Sequence, residues 1–263
     1  MKIVNSADGT KIAYDRQGEG PALIMVDGAM CARSSGSKPE LTGLLASRFT
    51  VYSYDRRGRG DSGDTQPYAV DREIEDIEAL IDEAGGTAYL YGQSSGASLA
   101  LDAADKLGSK VRKLAMYDAP YHHDPAAQQA WGEYIRQLTE ALAAHRRGDA
   151  VALFMRYVGM PADQIEDMRK APFWAGMEAI APTLAYDHTA ILGKDASLPS
   201  ERAARVRAPA LVMHGGAGPA FMADTARALS QAMPHAAVRA LEGQGHDVNP
   251  GVLAPVLVEF FAS

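Results

Sequence analysis

The feature that most constrains this chain is a five-residue turn, Gly92-Gln93-Ser94-Ser95-Gly96, set between an apolar run at residues 88–91 and an Ala/Leu-rich stretch at residues 97–107. The run reads as a buried strand and the stretch as a helix. A strand that reverses straight into a helix forces the middle residue of the turn into a strained backbone conformation. Glycines two positions to either side remove the Cβ atoms that would clash there. The Ser94 hydroxyl is thereby lifted above the sheet edge, and the Ser95 amide stands at a helix N-terminus, where it can stabilise an oxyanion. A helix-capping serine in an ordinary βα turn would fit the five letters alone. The flanking elements and the residues described next favour a nucleophile.

Strand and helix signals alternate along most of the chain. Residues 2–5 and 11–16 read as strands joined by a turn at Asp8-Gly9. Apolar runs at residues 22–26, 50–54, 87–91, 111–117, 210–213 and 236–241 are short enough for buried strands. Helices are predicted over residues 39–47, 70–84, 97–107, 221–233 and 252–262. In the second of these, Val70, Ile74, Ile77, Leu80 and Ile81 keep helical spacing, with acids on the other face. Continuously apolar strands between helices indicate a mostly parallel, doubly wound sheet covered on both faces. The alternation breaks once, where only helical signals run from residue 125 to about 192. The expected division is an α/β core, residues 1–120 and 209–263, with a helical lid inserted at residues 121–208.

Composition narrows the function. A chain of 263 residues with 47% hydrophobic content can bury one large domain. Its net charge is −7 and no Lys/Arg run exceeds a pair, so neither nucleic acid nor an acidic membrane is an expected partner. Cys31 is the single cysteine, which removes intramolecular disulfides and disfavours a metal site built on thiolates. The first residues lack the apolar core of a signal peptide, and no later run reaches the roughly 18 residues of a spanning helix. The expectation is a soluble cytoplasmic protein. A homodimer is left open.

Three segments together resemble the α/β-hydrolase superfamily: the Gly92–Gly96 turn, Tyr54-Asp55-Arg56-Arg57-Gly58-Arg59-Gly60-Asp61-Ser62 after an earlier strand, and Gly245-His246-Asp247 near the end. The resemblance covers essentially the whole chain and implies nucleophilic hydrolysis without naming a substrate. It also implies a base at His246, in the Gly-rich loop after the last predicted strand. A serine hydroxyl needs such an imidazole to take its proton. The adjacent pair His122-His123 reads as solvated or at a pocket rim, and His145, His188 and His235 as surface residues. His214 ends a strand and is assigned no chemistry.

Many members of the superfamily carry the acid after the penultimate strand. Here that loop, His214-Gly215-Gly216-Ala217-Gly218-Pro219, holds no carboxylate. The alternative position in the superfamily is the end of the preceding core strand, where Asp118 stands in Met116-Tyr117-Asp118-Ala119-Pro120. From there a carboxylate can orient the His246 ring and stabilise the imidazolium. A turn-forming Asp before Pro120 is the plainer reading of the same residue. Asp224, within a helix, and Asp247, beside His246, are weaker candidates.

A His-Gly pair is common after the third strand of the superfamily, where an amide completes the oxyanion hole. This chain has Val26-Asp27-Gly28-Ala29-Met30, so the donor is expected at Gly28 or Ala29, with Asp27 turned away to tie down the loop. The Asp-Gly loop, the Ser-Ser-Gly elbow and an acid before the lid are similar to lactone hydrolases acting on resorcylic macrolactones. Gly58-Arg59-Gly60-Asp61-Ser62-Gly63 formally matches a dinucleotide fingerprint but opens no helix. It reads instead as a Gly-rich turn held by Arg–Asp pairs.

The expected substrate is a small apolar acyl compound, bound by Met30, Tyr121 and the lid residues Trp131 and Trp174, although lid aromatics most often form the lobe's own core. The expected activity is ester or lactone hydrolysis through Ser94, His246 and Asp118, with oxyanion donors at Gly28 and Ser95 and no metal or organic cofactor. A ligand receptor and a biosynthetic cyclase or acyltransferase on the same fold are the rival readings.

Overall fold

Each segment expected as a strand forms one, and the strands join into one eight-stranded sheet. The strands are β1 (Lys2–Asn5), β2 (Lys11–Gln17), β3 (Ala22–Val26), β4 (Thr50–Tyr54), β5 (Ala88–Gln93), β6 (Val111–Tyr117), β7 (Ala210–Gly215) and β8 (Ala236–Leu241). The computed structural model describes residues 1–35 and 38–263; Gly36 and Ser37, in the polar loop after β3, lie outside the described residues. The spatial order is β1-β2-β4-β3-β5-β6-β7-β8. Strands β1, β2 and β4 pair antiparallel, and every pairing from β4 through β8 is parallel.

Alternation of side chains across the pleat divides the interior into two cores. Leu23, Met25, Val51, Tyr89, Tyr91, Ala115, Tyr117, Leu211 and Met213 point to one face. There they meet Leu41 and Leu45 of α1 (Lys38–Leu45) and Leu253, Leu257 and Phe261 of α10 (Pro250–Ala262). Phe49, Tyr89 and Phe261 form an aromatic knot, with Tyr89 and Phe261 stacked at 4.9 Å. Ile24, Val26, Leu90, Leu114, Met116 and Val212 point to the other face, under α2 (Val70–Glu83), α3 (Ser95–Leu107) and α9 (Ala220–Ala232). Helix α2 departs from its expected polar face. Glu73 and Asp76 are buried, because they receive the guanidiniums of Arg56 and Arg57.

Between β6 and β7 the described chain is helical, in α4 (Pro125–Ala143), α5 (Arg147–Tyr157), α6 (Ala162–Arg169), α7 (Trp174–Ile180), a π-helical stretch Ala185–Ile191 and α8 (Ser200–Arg205). Helix α4 starts sharply because Asp124 accepts from the Ala127 amide and Pro125 supplies a fixed φ at its first position. Among the described residues no helix is long and apolar enough to cross a membrane.

The centre of this segment is aromatic. Trp131 packs against Tyr134 (5.4 Å), Tyr157 (5.3 Å) and His188 (5.3 Å). His188 is therefore buried, not at the surface, and its Nδ1 meets the Tyr134 hydroxyl at 2.8 Å. His122 is buried too, its Nε2 against the Tyr157 hydroxyl at 2.7 Å and its ring beside Phe221, whereas His123 is exposed.

Burial disfavours the imidazolium and lowers the His188 pKa to about 4, although Asp187 beside it acts in the opposite direction. The ring is neutral at pH 7. As pH falls from the ordinary 6.5 toward about 4, the unfolded chain takes up a proton that the folded chain refuses, so stability is lost over that window. We expect wild type to lose about 3 kcal/mol more than His188→Gln between pH 7 and pH 4. Urea unfolding of both proteins across that range checks this, and parallel curves would contradict it.

Candidate active site

The sheet brings the sequence-distant groups together. Strand β3 lies beside β5 with Val26 opposite Gly92, and β5 beside β6 with Gln93 opposite Tyr117. Residues just past these strand ends, Gly28, Ser94 and Asp118, are consequently neighbours. The Ser94 amide donates to the Tyr117 carbonyl (2.9 Å), and the Asp118 amide to that of Met213 in β7 (3.0 Å). Open parallel sheets place their sites at such C-terminal strand edges.

The turn after β5 is as tight as its sequence suggests. Ser94 has φ 57° and ψ −132°, a left-handed conformation that costs a non-glycine residue on the order of 1–3 kcal/mol. A Cβ on Gly92 would run into the Gly96 carbonyl and Ala97, and one on Gly96 into the Val26 carbonyl. The two glycines thus let α3 fold back against β5 and press onto the loop after β3. In that loop a Cβ on Gly28 would lie 3.0 Å from Ser94 Cβ and 3.5 Å from its Oγ. Met30, two residues on, also has positive φ, at 58°.

Asp27 turns its carboxylate onto Lys38, at 2.7 Å. Burial raises the Asp27 pKa, and Lys38, Arg56 and Arg59 oppose that rise. Cys31 is nearby, its thiol also pushed up by burial. The loop is anchored from behind: Arg56 Nη1 donates to the Asp27 carbonyl (3.0 Å) and Arg59 Nη1 to that of Gly28 (3.2 Å). Within the Gly58–Gly63 turn, Arg59 pairs with Asp187 and Asp61 with Arg33, while Arg56 and Arg57, just before it, reach Glu73, Asp187, Asp8 and Asp76.

Asp118 is fully buried at its side chain and has φ 49°. Its Oδ1 accepts from the Gly215 amide (3.0 Å) and its Oδ2 meets His246 Nδ1 (3.0 Å). With Nδ1–H donated to the carboxylate, His246 Nε2 is left as an acceptor. The histidine loop is pinned by its backbone: Gln93 Nε2 donates to the His246 carbonyl (2.8 Å), Tyr117 Oη to that of Gly245, and the Ala217 amide to that of Gln244 (2.9 Å). Among the described residues no hydrogen bond joins Ser94 Oγ to His246 Nε2.

Gly215, the last residue of β7, has no room for a side chain. A Cβ there would fall 2.5 Å from the Gln244 carbonyl and 2.8 Å from the Tyr117 hydroxyl, so that space belongs to the histidine loop. Asp224 pairs with Arg227 on the surface, and Asp247 is exposed.

The pattern of the Alpha/beta hydrolase family matches residues 32–256. The chain belongs to that family. An alpha/beta hydrolase of solved structure from Sphaerobacter thermophilus is 49% identical, with 99% of this chain and 100% of that one covered and a TM-score of 0.85. An enol-lactonase from Burkholderia xenovorans shares the fold at a TM-score of 0.68, with 21% identity and all of both chains covered. A mouse serine hydrolase (Mus musculus) is 28% identical over 152 residues, 52% of each protein. A proline iminopeptidase from Pestalotiopsis fici is 29% identical over 122 residues, 44% of this chain and 43% of that protein. The chain spans about half the length of these curated relatives.

In this alpha/beta hydrolase the residues expected to bind substrate lie in different settings. Met30 is half-buried beside the Gly28 loop and packs on the core that includes the helical insertion. Tyr121 is fully buried, and its carbonyl accepts from Thr225. Trp131 is inside the insertion's core, its indole N–H donating to the Gly193 carbonyl (2.8 Å). Trp174 donates to Glu178 (2.9 Å) under the Arg169 guanidinium. No hydrogen bond or ring contact among the described residues joins Tyr121, Trp131 or Trp174 to Ser94.

Sequence reasoning missed Asp187, whose buried carboxylate accepts from Ser95 Oγ (2.8 Å), Arg56 (2.6 Å) and Arg59 (2.5 Å). Burial would raise its pKa, but the two guanidiniums prevail and hold it at about 2. Among the described residues no group of three or more His, Cys, Asp or Glu is arranged around a metal position.

The crowding at Gly215 has a direct test. Gly215→Ala is expected to cost about 1–3 kcal/mol through overpacking against the histidine loop. Gly245→Ala, where an added Cβ meets nothing within 4 Å, should stay within about 0.5 kcal/mol of wild type. Denaturant unfolding compares them, and equal losses would contradict the assignment of that space.

Proposed function

We propose that this protein is a serine hydrolase that cleaves a carboxylic ester or lactone of a small apolar molecule. The observation that carries the reading is a strained Ser94, at φ 57°, at the end of β5, with a hydrogen-bonded Asp118–His246 pair anchored at the end of the neighbouring strand β6. Strain of this kind persists where the surroundings over-determine it, most often at a reacting group. The serine hydrolase and alpha/beta hydrolase relatives support the same chemistry.

In this reading Ser94 Oγ attacks the substrate carbonyl while His246 Nε2 takes its proton. Asp118 holds the ring by Nδ1 and stabilises the imidazolium. The developing oxyanion is met by the Ser95 amide at the start of α3 and by an amide of the Gly28 loop. Collapse breaks the acyl–oxygen bond, and His246 returns its proton to the leaving alcohol. A water then repeats the sequence on the acyl-enzyme, with His246 as base, and releases the acid. The apolar preference rests on Met30 beside the oxyanion loop and on the aromatic insertion. The cytoplasm is the proposed location.

Fluorophosphonate labelling with peptide mapping, together with p-nitrophenyl ester and lactone hydrolysis, tests this reading. Labelling is expected at Ser94 alone and is lost in His246→Ala. Asp118→Asn should lower kcat roughly 10³–10⁴-fold, through the wrong imidazole tautomer. Full activity in Asp118→Asn would remove Asp118 from the mechanism. A wild type that binds esters without multiple turnover would favour a receptor, and transfer to added alcohols in preference to water would favour an acyltransferase.

A further inference from the structure

The helical insertion reaches into the core at one charged residue. Asp187, in the π-helical stretch, is fully buried. Its Oδ1 accepts from Ser95 Oγ and Arg56 Nη1, and its Oδ2 from Arg59 Nη2. Arg56 spends its other edge on Glu73, at 2.7 and 2.6 Å, so two guanidiniums face two carboxylates and the cluster is neutral. The same two arginines hold the carbonyls of Asp27 and Gly28. Tyr186, the preceding residue, stacks on Tyr68 with centroids 3.8 Å apart and further fixes the stretch against the core.

We propose that Asp187 is a positioning residue for the oxyanion site, so that the helical insertion completes the catalytic machinery as well as covering it. In a planar trans peptide the C=O and the following N–H point in opposite directions. Holding the Asp27 carbonyl therefore aims the Gly28 amide, and holding the Gly28 carbonyl aims the Ala29 amide. Neither of these amides donates to a backbone carbonyl among the described residues. Ser95 Oγ ties the first turn of α3, and with it the Ser95 amide, to the same carboxylate. One side chain thus sets the direction of donors on both sides of the oxyanion.

A cluster whose only task was to fasten the insertion would have no need to touch both donor segments. Buried ion pairs gain little net stability over apolar packing, since desolvation offsets their attraction. What they fix is geometry, and preorganised donors are the largest single contributor to many acyl-transfer rates.

The proposal rests on Ser94 being the nucleophile, and the test separates the two claims. Asp187→Asn and Ser95→Ala are compared with wild type in the full chain. The readouts are kcat and KM on a p-nitrophenyl ester, the pH midpoint of kcat/KM, and the affinity of an aryl trifluoromethyl ketone, which forms a charged tetrahedral adduct. Asp187→Asn should lower kcat about 10- to 100-fold, short of deleting a donor outright. Ketone affinity should fall by the same factor, with KM within about 3-fold and an unchanged pH midpoint, because the Asp118–His246 pair is untouched.

Ser95→Ala keeps the backbone donor and every ion pair. It should show the same pattern at roughly 3- to 10-fold. If Asp187→Asn fails to fold, Ser95→Ala decides alone. Wild-type kcat and ketone affinity in a folded variant would overturn the proposal, as would an effect confined to KM or a shifted pH midpoint. A wild type that neither labels at Ser94 nor turns over any ester would instead remove the nucleophile, and the positioning role with it.

Discussion

Backbone hydrogen bonds across β3, β5, β6 and β7 pair Val26 with Gly92, Gln93 with Tyr117, and Tyr117 with Met213. That register ends four strands at one level and delivers the Gly28 loop, Ser94 and Asp118 to neighbouring positions along one edge. Every later element of the site answers to it. The histidine loop must travel back from β8 past β7 to reach Asp118, and it does so over Gly215, where no side chain obstructs it. The carboxylate that meets the histidine stands at the end of β6.

Strain and charge are concentrated at this edge. Ser94, Asp118 and Met30 all have positive φ without being glycine. Such conformations persist only when the surroundings impose them. Here the surroundings are the strand ladder, the two glycines of the elbow, and the guanidiniums of Arg56 and Arg59 behind the Gly28 loop. Asp27 illustrates the electrostatic side. A carboxylate beside an oxyanion would oppose the reaction if it faced the substrate, and Lys38 draws it away.

The strands were legible because their interiors are mostly apolar and short, and β1, β3, β4, β6 and β8 coincide with their expected spans. Strand β5 continues through Gly92 and Gln93, which carry no apolar signal but still join the ladder to β6. The proposed roles of Ser94, His246 and Asp118 rest on local context: a strand–turn–helix, a Gly-rich loop after the last strand, and the lack of any acid in the loop after β7. The hidden features depend on partners far apart in the chain. Glu73 and Asp76 resemble a solvated helix face until Arg56 and Arg57 reach them. His122 and His188 carry no mark of burial, because the aromatic rings that enclose them come from several helices. Asp187 has no motif at all; its contact with Ser95, 92 residues away in the chain, forms only once the insertion is folded onto the elbow.

The proposed reaction requires a covalent acyl-enzyme on Ser94. Rapid quenching of the protein with an aryl ester, followed by peptide mass analysis, measures it directly. The expected result is an acyl adduct on the peptide containing Ser94, formed at least as fast as the ester turns over and absent in Ser94→Ala. Turnover without any adduct, or turnover retained in Ser94→Ala, would contradict it.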